Sequence, residues 1–293
     1  MLARPAFFKL LLVPALFPVA LNANVLSDGH VSVSHNTNVG NSVNSDGAIS
    51  DTLMSADFGL GRLFVPRPGR SFVISANAGL QQYARYDGLN HARLGAALDY
   101  QHRLGLGAYA TGVGFSVSAD YLAHRRSVRD GWLYRAALQT NRRFTPALRL
   151  QGDLSYAVRD ADSNKARLWG MAPGPDVFSQ ENTALGVELE YTLSDTALLI
   201  IDYRLGRGDI EGTSRPDAMM VQNYRAAAWD PAYGEDYISY RTRGSSHSMG
   251  VEWNQAIGRD SSLGIWFQRH IGRVGGGHSY HSNVLGTGLT TRF

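Results

Sequence analysis

The sequence predicts an all-β protein, an antiparallel transmembrane β-barrel of about 12 strands with ten or 14 as alternatives, on three observations. Apolar and polar residues alternate with period two over segments of about ten or more residues, as a wall between lipid and lumen requires. The links between these segments are by turns short and long. Beyond the first 23 residues no run of about 20 apolar residues could form a membrane-crossing helix.

The first candidate strands are His30–Val39 and Thr52–Val65, the second with Met54, Ala56, Phe58, Leu60 and Phe64 opposed to Ser55, Asp57 and Gly59. Phe72–Tyr86, Ala92–Arg103, Val113–His124 and Trp132–Phe144 follow. In Ala147–Arg159 the even positions Leu148, Leu150, Leu154, Tyr156 and Val158 oppose Arg149, Gln151, Asp153 and Ser155. Thr183–Leu193 is the clearest case: Leu185, Val187, Leu189, Tyr191 and Leu193 on one face, Ala184, Gly186, Glu188, Glu190 and Thr192 on the other. In Ala197–Leu205 the apolar set Leu199, Ile201, Tyr203 and Leu205 faces away from Asp202 and Arg204. Ser248–Ile257, Ser262–Ile271 and Tyr280–Phe293 complete the set.

The short links fall at 66–71, 104–112, 145–146, 194–196 and 258–261, and the alternate links 40–51, 87–91, 125–131, 160–182, 206–247 and 272–279 include all the longest. This is the pattern of short turns on one side of a membrane and longer loops on the other, although 87–91 is as brief as a turn. The link 206–247 contains β-like pieces, Met219–Tyr224 and Tyr237–Arg243, that form either a protruding hairpin or an extra strand pair. A soluble sandwich would also alternate, but its strands would be shorter, with a mode near 5–6 residues.

At the N-terminus, Arg4 and Lys9 precede an apolar run from Leu10 to Leu21 that ends in Asn22-Ala23. This arrangement predicts a secretory signal peptide over residues 1–23 and a barrel over 24–293. Pro14 and Pro18 weaken the run as a permanent helix. The absence of cysteine excludes a lipoprotein anchor, a disulfide framework and cysteine-ligated metal. Taking Arg4 and Lys9 from the 28 basic side chains leaves 26 against 25 acidic ones, so the pI of 9.1 gives no reason to expect nucleic acid as a partner.

At the C-terminus, counting back from Phe293 places Thr291, Leu289, Thr287 and Leu285 on one face, ending in an aromatic residue. This resembles the closing strand of Gram-negative outer-membrane β-barrels. The resemblance implies that Phe293 is an assembly signal read by the barrel assembly machinery, that outer-membrane lipid surrounds the chain, and that it resides in the cell outer membrane after export. Thr291 departs from the aromatic residue common two places before the end in that class.

The inward face is expected to carry Asp57, Arg93, Asp99, Asp120, Arg135, Arg149, Asp153, Glu188, Glu190, Asp202, Arg204 and Glu252 as lumen-lining residues. Both signs occur in similar number, which favours mutual neutralisation in a narrow interior over a strongly selective pore. Tyr86, Tyr100, Tyr121, Trp132, Phe144, Tyr156, Tyr191 and Tyr203 are expected outside, as interfacial anchors.

Two outer-membrane barrel enzymes, the phospholipase and the lipid A deacylase, use a His-x-Ser pair facing lipid. The corresponding string here, His30-Val31-Ser32, is expected to face inward, so catalytic residues are not expected. His278 and His281, near His270, lack a carboxylate in their loop and are expected not to bind metal; no cofactor is expected. The string His35-Asn36-Thr37-Asn38-Val39-Gly40-Asn41 is similar to the first-strand Asn-Val element of barrels associated with exopolysaccharide export and of surface lipoprotein assembly modifiers. The expectation is a non-enzymatic narrow channel or export component for a small solute or polysaccharide. The alternatives are a closed structural barrel with ligand-binding outer loops, or a lipid-modifying hydrolase.

Overall fold

The computed structural model describes residues 25–43, 47–162, 166–170, 176–216 and 225–293; the expected signal segment 1–23 and the β-like piece Met219–Tyr224 lie outside them. The described residues form thirteen strands: β1 (Val25–Asn36), β2 (Asp51–Arg67), β3 (Arg70–Tyr83), β4 (His91–Arg103), β5 (Gly112–His124), β6 (Gly131–Arg143), β7 (Leu148–Ala161), β8 (Gln180–Ser194), β9 (Ala197–Ser214), β10 (Ala226–Trp229), β11 (Ile238–Ala256), β12 (Ser261–Val274) and β13 (Ser279–Arg292). All but β10 form a closed antiparallel ring of 12, in chain order, with β9 paired to β11 and β13 returning to β1. Closure leaves no open sheet edge, the condition for crossing lipid with strands.

The closing seam runs from Asp28 opposite Arg292 to Asn36 opposite Val284. It continues past the last strand residue: the Phe293 N–H donates to the Ser27 carbonyl, and the Ser27 hydroxyl donates to the Phe293 carbonyl, both at 3.0 Å. At the β2–β3 turn Pro68 fixes the first corner and Gly69 takes φ +77°, a conformation other residues resist.

The alternation of burial follows the alternation of sequence. Leu94 and Leu138 are 67% and 62% exposed although apolar, and Met54, Ile74, Leu154, Leu185, Ile201 and Phe267 share their outward parity. So continuous an apolar wall exceeds by far what a water-soluble surface carries, and is matched to lipid. Tyr121, Trp132 and Tyr134 form an outward aromatic group, with ring centroids 5.4 and 6.0 Å apart. Tyr86 corrects the expectation: β3 ends at Tyr83, and Tyr86 is buried in the link beyond, against Leu89, Ala232 and Tyr233.

With the wall's apolar side chains facing lipid, the water-excluded protein core sits at the rim that bears the long links. It has two clusters, one built on Val128, Ala161, Val177, Phe178 and Ala226, the other on Ile49, Leu89 and Tyr233. The link expected at 206–247 is much shorter, because β9 runs on to Ser214 and β11 starts at Ile238. Its described residues do not protrude. Beyond Gly208 the alternation stops and Asp209, Ile210, Thr213 and Ser214 are all buried, as are Ala226–Ala228 and Ile238–Tyr240. A strand covered on both faces has left the wall. The Thr213 N–H donates to the Gly40 carbonyl (2.6 Å), the Trp229 N–H to that of Arg167 (2.8 Å), and the Tyr233 hydroxyl to that of Val39 (3.3 Å). The β9–β11 extension and β10 therefore cross the mouth and form a cap.

Candidate solute path and its cap

Inside the barrel, antiparallel register sets an aspartate opposite a glycine five times: Asp28–Gly59, Asp57–Gly79, Asp120–Gly95, Asp153–Gly186 and Asp202–Gly250. In each pair a Cβ on the glycine would meet the carboxylate at less than van der Waals distance, so the carboxylate lies across the space a side chain would fill. In two cases the residue beyond the glycine is arginine, giving three-strand rows Asp57–Gly79–Arg93 and Asp153–Gly186–Arg204. Arg93 donates to Asp57 at 2.8 Å and lies 3.9 Å from Asp120, which takes a 2.9 Å bond from Arg135. Arg204 donates to both oxygens of Asp153, at 2.9 and 3.1 Å. Such paired donation is the strong form of a charge-assisted bond.

A cavity of about 750 Å³ is lined by Arg93, Asp99, Asp120, Arg135, Asp153, Glu188, Asp202 and Arg204, so eight of the twelve expected residues meet in one space. The other four stand apart from it. Asp57 pairs with Arg93 as above, Arg149 donates to both oxygens of Glu190 (2.9 and 3.1 Å), and Glu252 accepts from Asn254 (2.9 Å). The eight comprise five carboxylates and three arginines. Among the described residues Asp99, Glu188 and Asp202 have no cation within ion-pairing distance, so the lining carries a local excess of negative charge.

Above it, under the cap, lies a second space of about 420 Å³ lined by Tyr83, His124, Arg129, Arg159, Glu211 and Tyr233; Asn182 lines both. Arg129, on the β5–β6 link, is 5% exposed and ties the cap to the wall. It donates to the carboxylates of Asp230, next to β10, and of Glu211 on β9 (2.6 Å), and its guanidinium lies 4.4 Å from the Phe178 ring centre and 5.7 Å from that of Tyr233. Asp230 also accepts from the Ser239 hydroxyl (2.6 Å) and the Ala232 N–H (3.0 Å). Burial alone would raise the Asp230 carboxyl, but the Arg129 charge and these donors hold it below the usual range. Burial likewise disfavours the charged form of Arg129, and Asp230 and Glu211 outweigh it, pushing the group up.

The asparagine-rich string is part of the same rim. Asn38 is buried, and its amide donates to the Ser42 and His281 carbonyls at 3.0 and 3.1 Å, while Asn36 Oδ1 accepts from the Ser282 hydroxyl at 2.6 Å. These contacts fasten the first link to β13. His30 and Ser32 are engaged separately, His30 Nδ1 with the Thr290 hydroxyl (2.9 Å) and Ser32 with the Ser55 hydroxyl (2.7 Å). The imidazole is therefore not placed as a base for the serine. Among the described residues no group of three or more His, Cys, Asp or Glu side chains is arranged to hold a metal ion.

No protein-family model matches the sequence, and no curated protein matches it. Among solved structures, an outer-membrane channel from Pseudomonas putida F1 superposes with a TM-score of 0.59 at 12% identity, over 94% of this chain and 97% of that one. The NanC porin superposes with a TM-score of 0.44 at 10% identity, over 90% and 100% of the two chains. The translocator domain of the autotransporter NalP from Neisseria meningitidis gives 0.41 at 11% identity, over 94% and 90%. The first similarity shows a shared fold, a closed antiparallel β-barrel.

Proposed function

We propose that the chain is a non-enzymatic outer-membrane channel or export component, exported through a signal peptide over residues 1–23, with a narrow, cation-preferring lumen that its own cap closes. The observation that carries this reading is the charged inner cavity of about 750 Å³ lying beneath a mouth crossed by buried strand ends that the Arg129 ion pairs hold in place. The cavity is lined by charged and polar side chains, among them Asp99, Glu188 and Asp202 without a countercharge among the described residues, and uncompensated carboxylates attract cations. Small cations or neutral polar solutes are the class that fits. In this reading Phe293, whose ring lies 3.5 Å from where a Gly29 side chain would begin on the outer wall, is the feature the assembly machinery reads.

The cap also supports a second reading, a closed barrel whose outer loops do the binding. Planar-bilayer conductance separates the two. The channel reading expects discrete currents whose reversal potential in asymmetric KCl shows cation preference, reduced in Asp99→Asn/Glu188→Gln/Asp202→Asn. A sealed bilayer for the wild type and for cap-opening variants alike would favour the closed barrel.

A further inference from the structure

The outer wall is not uniform around its circumference. Toward the loop-bearing rim the outward positions nearest the end of β2 to β6 are Thr52, Gln82, Ala92, Ala123 and Trp132. On β9, β11 and β12 the outward positions toward that rim carry Arg207, Arg243, Arg269 and Arg273; Arg207 directly follows Leu205 and Arg269 directly follows Phe267 on the outward face, while Ser245 and His247 separate Arg243 from Met249 and Ile271 separates Arg273 from Arg269. Register sets Arg207 and Arg273 on either side of Ser245 in one row across three adjacent strands, which places their backbones about 10 Å apart.

Of these four, Arg243 alone has a carboxylate partner among the described residues. Arg243 is 60% exposed and its Nε lies 3.8 Å from Asp209; among the described residues Arg207, Arg269 and Arg273 have no carboxylate in ion-pairing range. One outward carboxylate, Glu181, shares the groove of about 740 Å³ that Leu205, Arg207, Arg243 and Arg273 line. Gly206, Gly208 and Gly244 add no side chains, so the groove lies open against the wall. Arginines above an apolar face sit where lipid phosphates meet acyl chains, and basic residues near an anionic lipid surface are attracted to it. Arginine's fork also matches phosphate oxygens.

We propose that this sector binds the phosphate-bearing headgroup of an anionic lipid of the surrounding leaflet, with Arg207 and Arg273 on its phosphates, Ser245 between them, and its chains on Leu205, Met249 and Phe267. The inference does not depend on conduction through the lumen. The test is native mass spectrometry of the full chain in detergent, with diphosphoryl lipid A as probe, its dephosphorylated form as one comparison and inorganic pyrophosphate as another. The wild type should retain the phosphorylated lipid and neither of the others. Arg207→Gln/Arg273→Gln should weaken retention at least about tenfold, and Arg62→Gln/Arg142→Gln, which removes two charges at the opposite rim, should not. Heat-shifted electrophoretic mobility checks that each variant is folded. Equal retention with and without phosphates, equal loss in both double variants, or pyrophosphate binding as tight as lipid would overturn the proposal.

Discussion

Asp153 accepts two hydrogen bonds from the Arg204 guanidinium by leaning across Gly186, a residue of the strand between them. The pair exists only because that position has no side chain. Gly186→Ala should therefore push the carboxylate away and cost about 1–3 kcal/mol, the usual range for overpacking. Gly275→Ala, where nothing lies within 4 Å, is the control and should leave the barrel unchanged. Urea unfolding in detergent, followed by loss of heat-shifted mobility, measures both.

The two faces of the wall should respond oppositely to charge. Leu138 points outward near the middle of β6, so Leu138→Arg should destabilise the barrel in lipid by about 2–4 kcal/mol, as arginine does near the bilayer midplane. Gln139 lines the inner cavity, and Gln139→Arg should fold normally while lowering cation preference. Folding yield into vesicles and reversal potential read the two outcomes.

Acid should loosen the cap. The Asp230 carboxyl is held below its ordinary value in the folded cap, so its contribution is fully present above about pH 4, where the unfolded form is ionised, and is lost as pH falls through the lower folded value. Hydrogen exchange at Ala232, whose N–H donates to Asp230, should stay slow at pH 6 and accelerate at pH 3, while exchange in the middle of β4 and β5 stays slow. Asp230→Asn should make the cap looser at pH 6 and remove most of the pH dependence.

Much of the wall was legible in the sequence because lipid and lumen impose period two on each spanning residue. The segments around Leu185–Leu193 and Leu199–Leu205 are strands with the expected faces. What was hidden depends on pairing between segments. The aspartate–glycine rows appear only once register sets Asp57 beside Gly79, since the two belong to different strands. The cap was hidden for another reason: Asp209–Ser214 and Ala226–Trp229 are buried on both sides, so their composition carries no two-faced pattern. Arg129 looked like any loop arginine, and its partners Glu211 and Asp230 lie far along the chain. Tyr86 was placed outside because a strand pattern does not announce where it stops.

If the inner cavity is a solute path closed by the cap, removing the Arg129 charge should open it. Arg129→Met removes the guanidinium and leaves Asp230 and Glu211 buried without their main cation, a loss of about 3–5 kcal/mol confined to the cap. Single-channel conductance of the folded variant should rise several-fold over the wild type, with the same sign of ion preference. Equal conductance in the two proteins, or a sealed bilayer in both, would contradict a path closed by the cap.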